Sequence, residues 1–347
     1  CHGVPRYLPW WERGMMGFGS AASLIAPGLV MPLMSRKMRS ESRQVIVPSE
    51  SLQLSRYLRK RRGGGMDVNL NQLGEAVLGE EEAARRLDAV IGRLRDPDVD
   101  YVSVKISAIF SQINLVAFEA TLNAVRERLR SIYRAALASP FIGSDGRARP
   151  KFVNLDMEEY HDLQLTAEAF KGVLDEAEFL EMEAGLVLQA YLPDSAAVQE
   201  DLTAWARSRR RRGGAGIKIR LVKGANLAME SVEGGLHGWE QAPFDNKLDV
   251  DANFKKMVGF GCRPENAEAA RLGIGSHNLF DIAFAMLCSE MHGTSSRVQF
   301  EMLEGMANHQ ASAVRTATEG LLLYAPAVRH EDFHSALAYL VRRLDEN

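Results

Sequence analysis

Short apolar runs alternate with longer helical stretches through most of the chain. The runs cover residues 68–73, 101–106, 152–156, 185–192, 217–222, 272–275, 298–303 and 320–324. Each is strand-length and bounded by turn residues, which marks a strand. Seven helical stretches separate the eight runs, and one follows the last. Strand–helix alternation requires parallel pairing with the helices outside. Eight such units predict an α/β fold closed into a (β/α)8 barrel. An open doubly wound sheet is the competing arrangement, but the first run lacks the glycine-rich phosphate loop of that fold.

The first 65 residues follow another pattern. Residues 14–35 carry no charge and are mostly apolar. That length could cross a bilayer. Pro27, Pro32 and the glycines of this stretch disfavour a regular spanning helix, and Glu12 with two tryptophans ahead of it excludes a signal peptide. A helical arm packed on the main domain or on a partner is the first reading. Peripheral membrane contact is the second and a span the third. A basic helical stretch at residues 35–62 then ends in Gly63, Gly64 and Gly65. The expected division is a helical arm over 1–65 and a barrel over 66–347. The start at Cys1 reads as a fragment or a processed product.

Composition narrows the function. Apolar residues make up 46% and charged residues 25% of the 347, as in an ordinary globular enzyme. A net charge of −3 excludes a general nucleic-acid binder. The arginine runs at 59–62 and 207–212 precede glycines and strands, so they read as solvated helix ends. Cys1, Cys262 and Cys288 have neither metal nor disulfide spacing, which makes a reducing compartment the default. Residues 138–149 are polar and turn-rich, an exposed excursion.

Chemistry in such a barrel collects where the strands end. The polar residues there are Asn69, Asn71 and Glu75, then Lys105, Asp156, Gln189, Arg220 and Lys223, then His277, Asn278, Glu301 and Tyr324. Further on, Tyr339, Arg342, Arg343 and Glu346 are spaced i, i+3, i+4, i+7 on one helix face. That face suits capture of a small anion, and equally a solvated ion pair. His330 to His334 matches H-E-x-x-H, yet no His or Cys follows to complete a zinc site, so no metal is expected. Cations outnumber acids at this mouth, so the ligand should carry carboxylate or phosphate. Anion holders without an activated nucleophile indicate a cofactor enzyme.

The segments VNLNQLGEAVLGEEEA, VSVKIS, NLDMEEY, VLQAYLPD, IKIRLVKGA, GSHN, FEMLEGM and YLVRRLDEN occur in this order. Together they resemble the FAD-dependent proline dehydrogenase family, within it the proline dehydrogenase part of bacterial bifunctional PutA-type enzymes. The resemblance covers residues 66–347, with YLVRR its most specific motif. It implies a distorted (β/α)8 barrel with the last helix over the mouth. It implies oxidation of L-proline to Δ1-pyrroline-5-carboxylate by hydride transfer to flavin N5, with electrons passed to a quinone. By motif, Arg342 and Arg343 would hold the proline carboxylate, with Lys105 as a third cation. Tyr324, Tyr339 and Leu303 would wall the ring, and Asp156 would belong to the polar network beside it. Glu75 would pair with Arg342, and Glu346 would brace the arginines. Arg220 and Gln189 would contact the flavin, and Lys223, Gly224, Ala225, His277 and Asn278 would line the rest of FAD.

The resemblance further implies an aldehyde dehydrogenase part C-terminal to this chain. It implies a cytoplasmic protein with peripheral contact at the inner membrane. Asn226 and Leu227 depart from it, standing where the family often has an aromatic pair, and the spacing from Tyr324 to Tyr339 is longer than in the PutA type. Two other readings stay open. One is a flavoprotein of this fold oxidising another cyclic imino acid, such as hydroxyproline. The other is a non-catalytic barrel that docks a membrane through residues 14–35.

Overall fold

Eight parallel strands close on themselves in the computed structural model. It describes residues 9–42, 44–73, 77, 79–143, 145–330, 333, 336, 339 and 340. The expectations placed on Glu75, Arg342, Arg343, Glu346 and most of the H-E-x-x-H stretch lie outside these residues. The barrel strands are β1 (Met66–Gln72), β2 (Tyr101–Lys105), β3 (Phe152–Asp156), β4 (Gly185–Gln189), β5 (Ile217–Val222), β6 (Ala270–Gly275), β7 (Val298–Leu303) and β8 (Leu321–Val328). Each pairs with its sequence neighbour, and β8 returns to β1 in a register running from Leu321 opposite Met66 to Ala327 opposite Gln72. This is the expected (β/α)8 barrel.

The sequence explains why the layers form. β4 reads GLVLQ and is buried at every position, as a strand covered on both faces must be. The helix Phe118–Ala138 buries Leu122, Val125, Leu129, Ile132, Tyr133 and Ala136, which recur at helical spacing along one stripe. Removing a side chain such as Leu129 from water contributes about 1.5–3 kcal/mol.

Some boundaries differ from expectation. β4 stops at Gln189, because the Leu192 amide folds back onto the Gln189 carbonyl at 3.1 Å. β8 continues to Val328, because two partners extend it. One is β1, and the other is a two-residue strand, Val47–Pro48, that pairs with Ala327 and Val328. The 138–149 excursion forms a small antiparallel hairpin, Phe141–Ile142 with Ala148–Arg149.

The N-terminal region is two helices, Trp10–Ile25 and Pro27–Ser42, which pack on each other. Leu24 and Ile25 remain 87% exposed. No helix among the described residues is long and apolar enough to cross a membrane. The helix Ser51–Gly63 buries Leu54 and Leu58 in the main core.

One arginine overturns the solvated-end reading of residues 207–212. Arg209 is fully buried. Its guanidinium donates to the carbonyls of Leu174 at 3.1 Å, Phe179 at 2.7 Å and Met182 at 3.0 Å, and also to that of Ala215. A planar fork of five donors satisfies several loop carbonyls at once, which repays its desolvation. By contrast, Arg59 and Arg62 do form ion pairs with loop carboxylates, to Asp98 at 3.1 Å and Asp100 at 2.5 Å.

Gly305, after β7, has φ 76°, and a Cβ there would collide with the Gln44 carbonyl oxygen. Glycine is therefore required both for the backbone angle and for the passage of the segment that leads into Val47–Pro48. Gly305→Ala is expected to destabilise the chain by about 1–3 kcal/mol, read as a lower urea midpoint at unchanged slope. An unchanged midpoint would mean that this segment is not seated on Gly305.

Candidate active site

Parallel closure brings all eight strand C-termini to one mouth. A cavity of about 520 Å³ opens there. Lys105, Asp156 and Gln189 are the final residues of β2, β3 and β4. All three line the cavity, with Arg220 of β5 and Leu303 and Glu301 of β7. Lys223, Gly224 and Ala225, just after β5, and His277 and Asn278, after β6, form another part of the wall. Tyr324 of β8 and Tyr339 complete the set. Every described residue that the family resemblance placed at the site thus borders one cavity, as does Asn71, whereas Asn69 does not and instead donates to Ser103 Oγ at 3.0 Å.

The floor is a chain of buried charges. Lys218, Arg220, Asp156 and Glu301 are each at most 7% exposed. Lys218 Nζ is 2.5 Å from Glu301 Oε1, and Glu301 Oε2 is 3.5 Å from Arg220 Nη1. Arg220 Nη2 is 2.5 Å from Asp156 Oδ1. Tyr324 donates its hydroxyl proton to Asp156 Oδ2 at 2.7 Å, and Asn154 donates to Asp156 Oδ1 at 3.0 Å. The Arg220 guanidinium also lies 4.9 Å from the Tyr324 ring centroid, in cation–π range. Buried charges persist only with such pairing. Gly273 makes room for it, since a Cβ there would lie 2.7 Å from Lys218 Cε and clash with the Glu301 carboxylate.

The electrostatics follow. Burial pulls the Lys218 ammonium down to about 8, against the opposing pull of Glu301. Burial opposes the charge of Arg220 too, but Asp156 and Glu301 outweigh it and push its pKa up. Burial, then the Asp156 carboxylate, holds the Tyr324 phenol well above its ordinary value. Tyr324 is therefore a fixed hydrogen-bond donor.

The rim is held by local contacts. Lys105 pairs with Glu158, whose carboxylate also accepts from Ser107 at 2.8 Å. The Glu158 carbonyl accepts from Asn226 Nδ2 at 2.7 Å. Lys223 contacts Asp251 at 2.5 Å and Asp281 at 2.7 Å. Burial alone would lower its pKa, and the two carboxylates raise it on balance. His277 Nε2 accepts the Leu303 N–H at 2.9 Å, and burial lowers its pKa, so its ring is neutral. Asn278 caps the helix Leu279–Met291 by accepting from Phe280 N at 2.9 Å. Gly224 has φ 134°, and a Cβ there would lie 2.5 Å from the Tyr191 ring.

Lys218, Asn154 and Glu158 were not among the candidates read from sequence. Lys218 had a signal: it stands two before Arg220, so it faces inward on the same strand face. Glu158 had a weaker one, two residues past the end of β3.

Comparison with known proteins places this arrangement. A family model described as proline dehydrogenase matches residues 54–347. Proline dehydrogenase 2 of Bacillus subtilis is 25% identical over 294 residues, which is 83% of this chain and 80% of that protein. The structure of proline utilization A (PutA) from Corynebacterium freiburgense is 42% identical with a TM-score of 0.83, covering 99% of this chain. That of PutA from Bdellovibrio bacteriovorus, inactivated by N-propargylglycine, is 30% identical with a TM-score of 0.80, covering 92%. The chain spans 34% of the length of each PutA chain. It belongs to the proline dehydrogenase family.

Proposed function

We propose that this chain oxidises L-proline to Δ1-pyrroline-5-carboxylate, with FAD as resident cofactor and a quinone as electron acceptor. The observation that carries the reading is the cavity itself. It sets Lys105 and Tyr339 around a buried ionic floor that includes Arg220 and is joined by Tyr324. No described serine or cysteine of its wall hydrogen-bonds a histidine, so the described wall holds no Ser–His or Cys–His nucleophile. The lengths of the PutA relatives support a place within a longer protein that also carries an aldehyde dehydrogenase part. Peripheral membrane contact would bring the chain to its quinone.

The donor set suits a flavin. Arg220 Nε and Gln189 Oε1 are buried with no hydrogen-bond partner among the described residues. One donates and the other accepts, as a ring system rich in carbonyls and N–H groups requires. Gln189 is held in place by its own amide, which donates to the Met157 carbonyl at 2.7 Å. Lys223, Gly224, Ala225, His277 and Asn278 would hold the remainder of the dinucleotide. When bound, FAD supplies the two-electron acceptor for the hydride leaving the ring carbon beside the proline nitrogen.

The chain's own residues do the positioning. Arg342 and Arg343 would grip the carboxylate as planar forks, with Lys105 as the third cation. Glu75 would pair with Arg342 and Glu346 would brace both arginines. Leu303, Tyr324 and Tyr339 would wall the ring and exclude water. An anchored ring turns hydride loss into a positioned, near-unimolecular step. Arg220, kept cationic by Asp156 and Glu301, gives a fixed positive charge where negative charge accumulates. His277 is not the base for the amine proton, since its Nε2 lone pair is already engaged by Leu303.

Three outcomes test the reading. The purified chain should show a flavin band at roughly 450 nm that bleaches with anaerobic L-proline. A band that stays with proline but bleaches with hydroxyproline would reassign the substrate, and no band after added FAD would remove the cofactor. Arg342→Ala and Arg343→Ala should each raise KM for proline at least ~10-fold with flavin retained. Unchanged KM in both would refute their role. Tyr324→Phe leaves Asp156 Oδ2 without its donor in a buried site. It should lower kcat/KM about 10-fold or more and cost about 1–3 kcal/mol of stability, by steady-state kinetics and urea unfolding.

A further inference from the structure

We propose a divalent-metal site outside the cavity, formed by Glu159, His161 and Glu233 with Asp162 behind them. Glu159 and His161 lie on the loop after β3, and Glu233 on the helix Leu227–His237 that follows β5. One ligand atom from each of Glu159, His161 and Glu233 lies within 4.8 Å of the other two. His161 Nε2 is 3.2 Å from Glu159 Oε2 and 3.3 Å from Asp162 Oδ1. Atoms bound to one metal at about 2.1 Å in tetrahedral or octahedral geometry sit about 3.0–3.4 Å apart, which is the spacing of Glu159 and Asp162 from Nε2; Glu233 Oε2 faces Nδ1 at 3.9 Å and would have to turn toward the ion.

Two further observations point to a cation. Asp162 is 4% exposed, and its Oδ1 has no hydrogen-bond partner although it is directed at the His161 ring. A buried carboxylate oxygen left in this way is costly. Among the described residues, no lysine or arginine pairs with Glu159, Asp162 or Glu233. The cluster is short of positive charge, and a metal ion supplies it.

One imidazole with two or three carboxylates suits Mn2+, Zn2+ or Co2+. The site would act as a clip on the cavity rim. Glu158, next to Glu159, holds Lys105, and Asn226, at the start of the second element, bonds the Glu158 carbonyl. Glu230 of the same helix already accepts the Tyr160 N–H at 2.7 Å, so the ion would reinforce an existing junction. Neither the three ligands nor Asp162 lines the cavity.

The test is a titration of the full chain, stripped with EDTA and freed of chelator, with Mn2+ followed by EPR and Zn2+ by calorimetry. One ion per chain is expected, bound with Kd below about 100 µM and raising Tm by at least ~2 °C at saturation. His161→Ala and Glu233→Gln should each weaken binding at least ~10-fold, with circular dichroism unchanged. Glu159→Gln is the further variant if His161→Ala does not fold. Absence of saturable binding at about 1 mM of either ion overturns the proposal. Binding indifferent to the variants overturns it as well, because the ion would then lie elsewhere.

Discussion

Charge placed inside a closed barrel must meet its counter-charge inside the same barrel. β5 carries both interior cations, Lys218 and Arg220, two residues apart on one strand face. Their partners are not on the adjacent strands. Arg220 registers with Val187 of β4 and Gly273 of β6, neither of which carries charge. It reaches past both, to Asp156 of β3 and Glu301 of β7. Gly273 is the residue that permits this reach, because any side chain there would occupy the space of the Glu301–Lys218 contact. Four ions from three strands therefore depend on one missing Cβ. Removing a single partner would strand a buried charge, at about 3–5 kcal/mol.

This network divides the site into a fixed floor and a softer rim. On the floor, Asp156 is shared by Arg220, Tyr324 and Asn154, so each contact constrains the next. At the rim, Lys223 and its partner Asp251 are each about a quarter exposed, 24% and 23%. Pairs of that exposure are screened by solvent and contribute little to stability. Lys223 is also tied at 2.7 Å to Asp281, which is 3% exposed, so this side of the rim keeps one buried anchor.

The eight strands were legible because burial on both faces imposes short apolar runs and helices impose their own period. The polar candidates at strand ends were legible because polarity there is costly unless used, whereas Leu303, Gly224 and Ala225 came only from the family motifs. What escaped depends on contacts distant in sequence. Nothing in the run 207–212 separates Arg209 from its exposed neighbours except the carbonyls it meets, which come from residues 174–182 and 215. The seating of residues 44–48 over Gly305 is equally invisible along the chain. Of the basic run 59–62, read as a solvated helix end, Arg59 is 72% exposed, but Arg61 and Arg62 are largely covered, and Arg61 reaches the buried Glu304 beyond β7, a partner that sequence spacing cannot nominate.

Lys105 illustrates how the two layers differ in chemistry. Its partner Glu158 comes from the rim loop, and the two side chains are 20% and 24% exposed. A substrate carboxylate entering the cavity presents the same acceptor geometry as Glu158. Exchanging one carboxylate for another around a partly solvated ammonium conserves the ion pair and costs little. The same exchange at Arg220 would strand Asp156 or Glu301 in the interior, and is resisted by the full cost of a buried charge. On the proposed function, Lys105 would suit the ligand that is exchanged and Arg220 the one that stays.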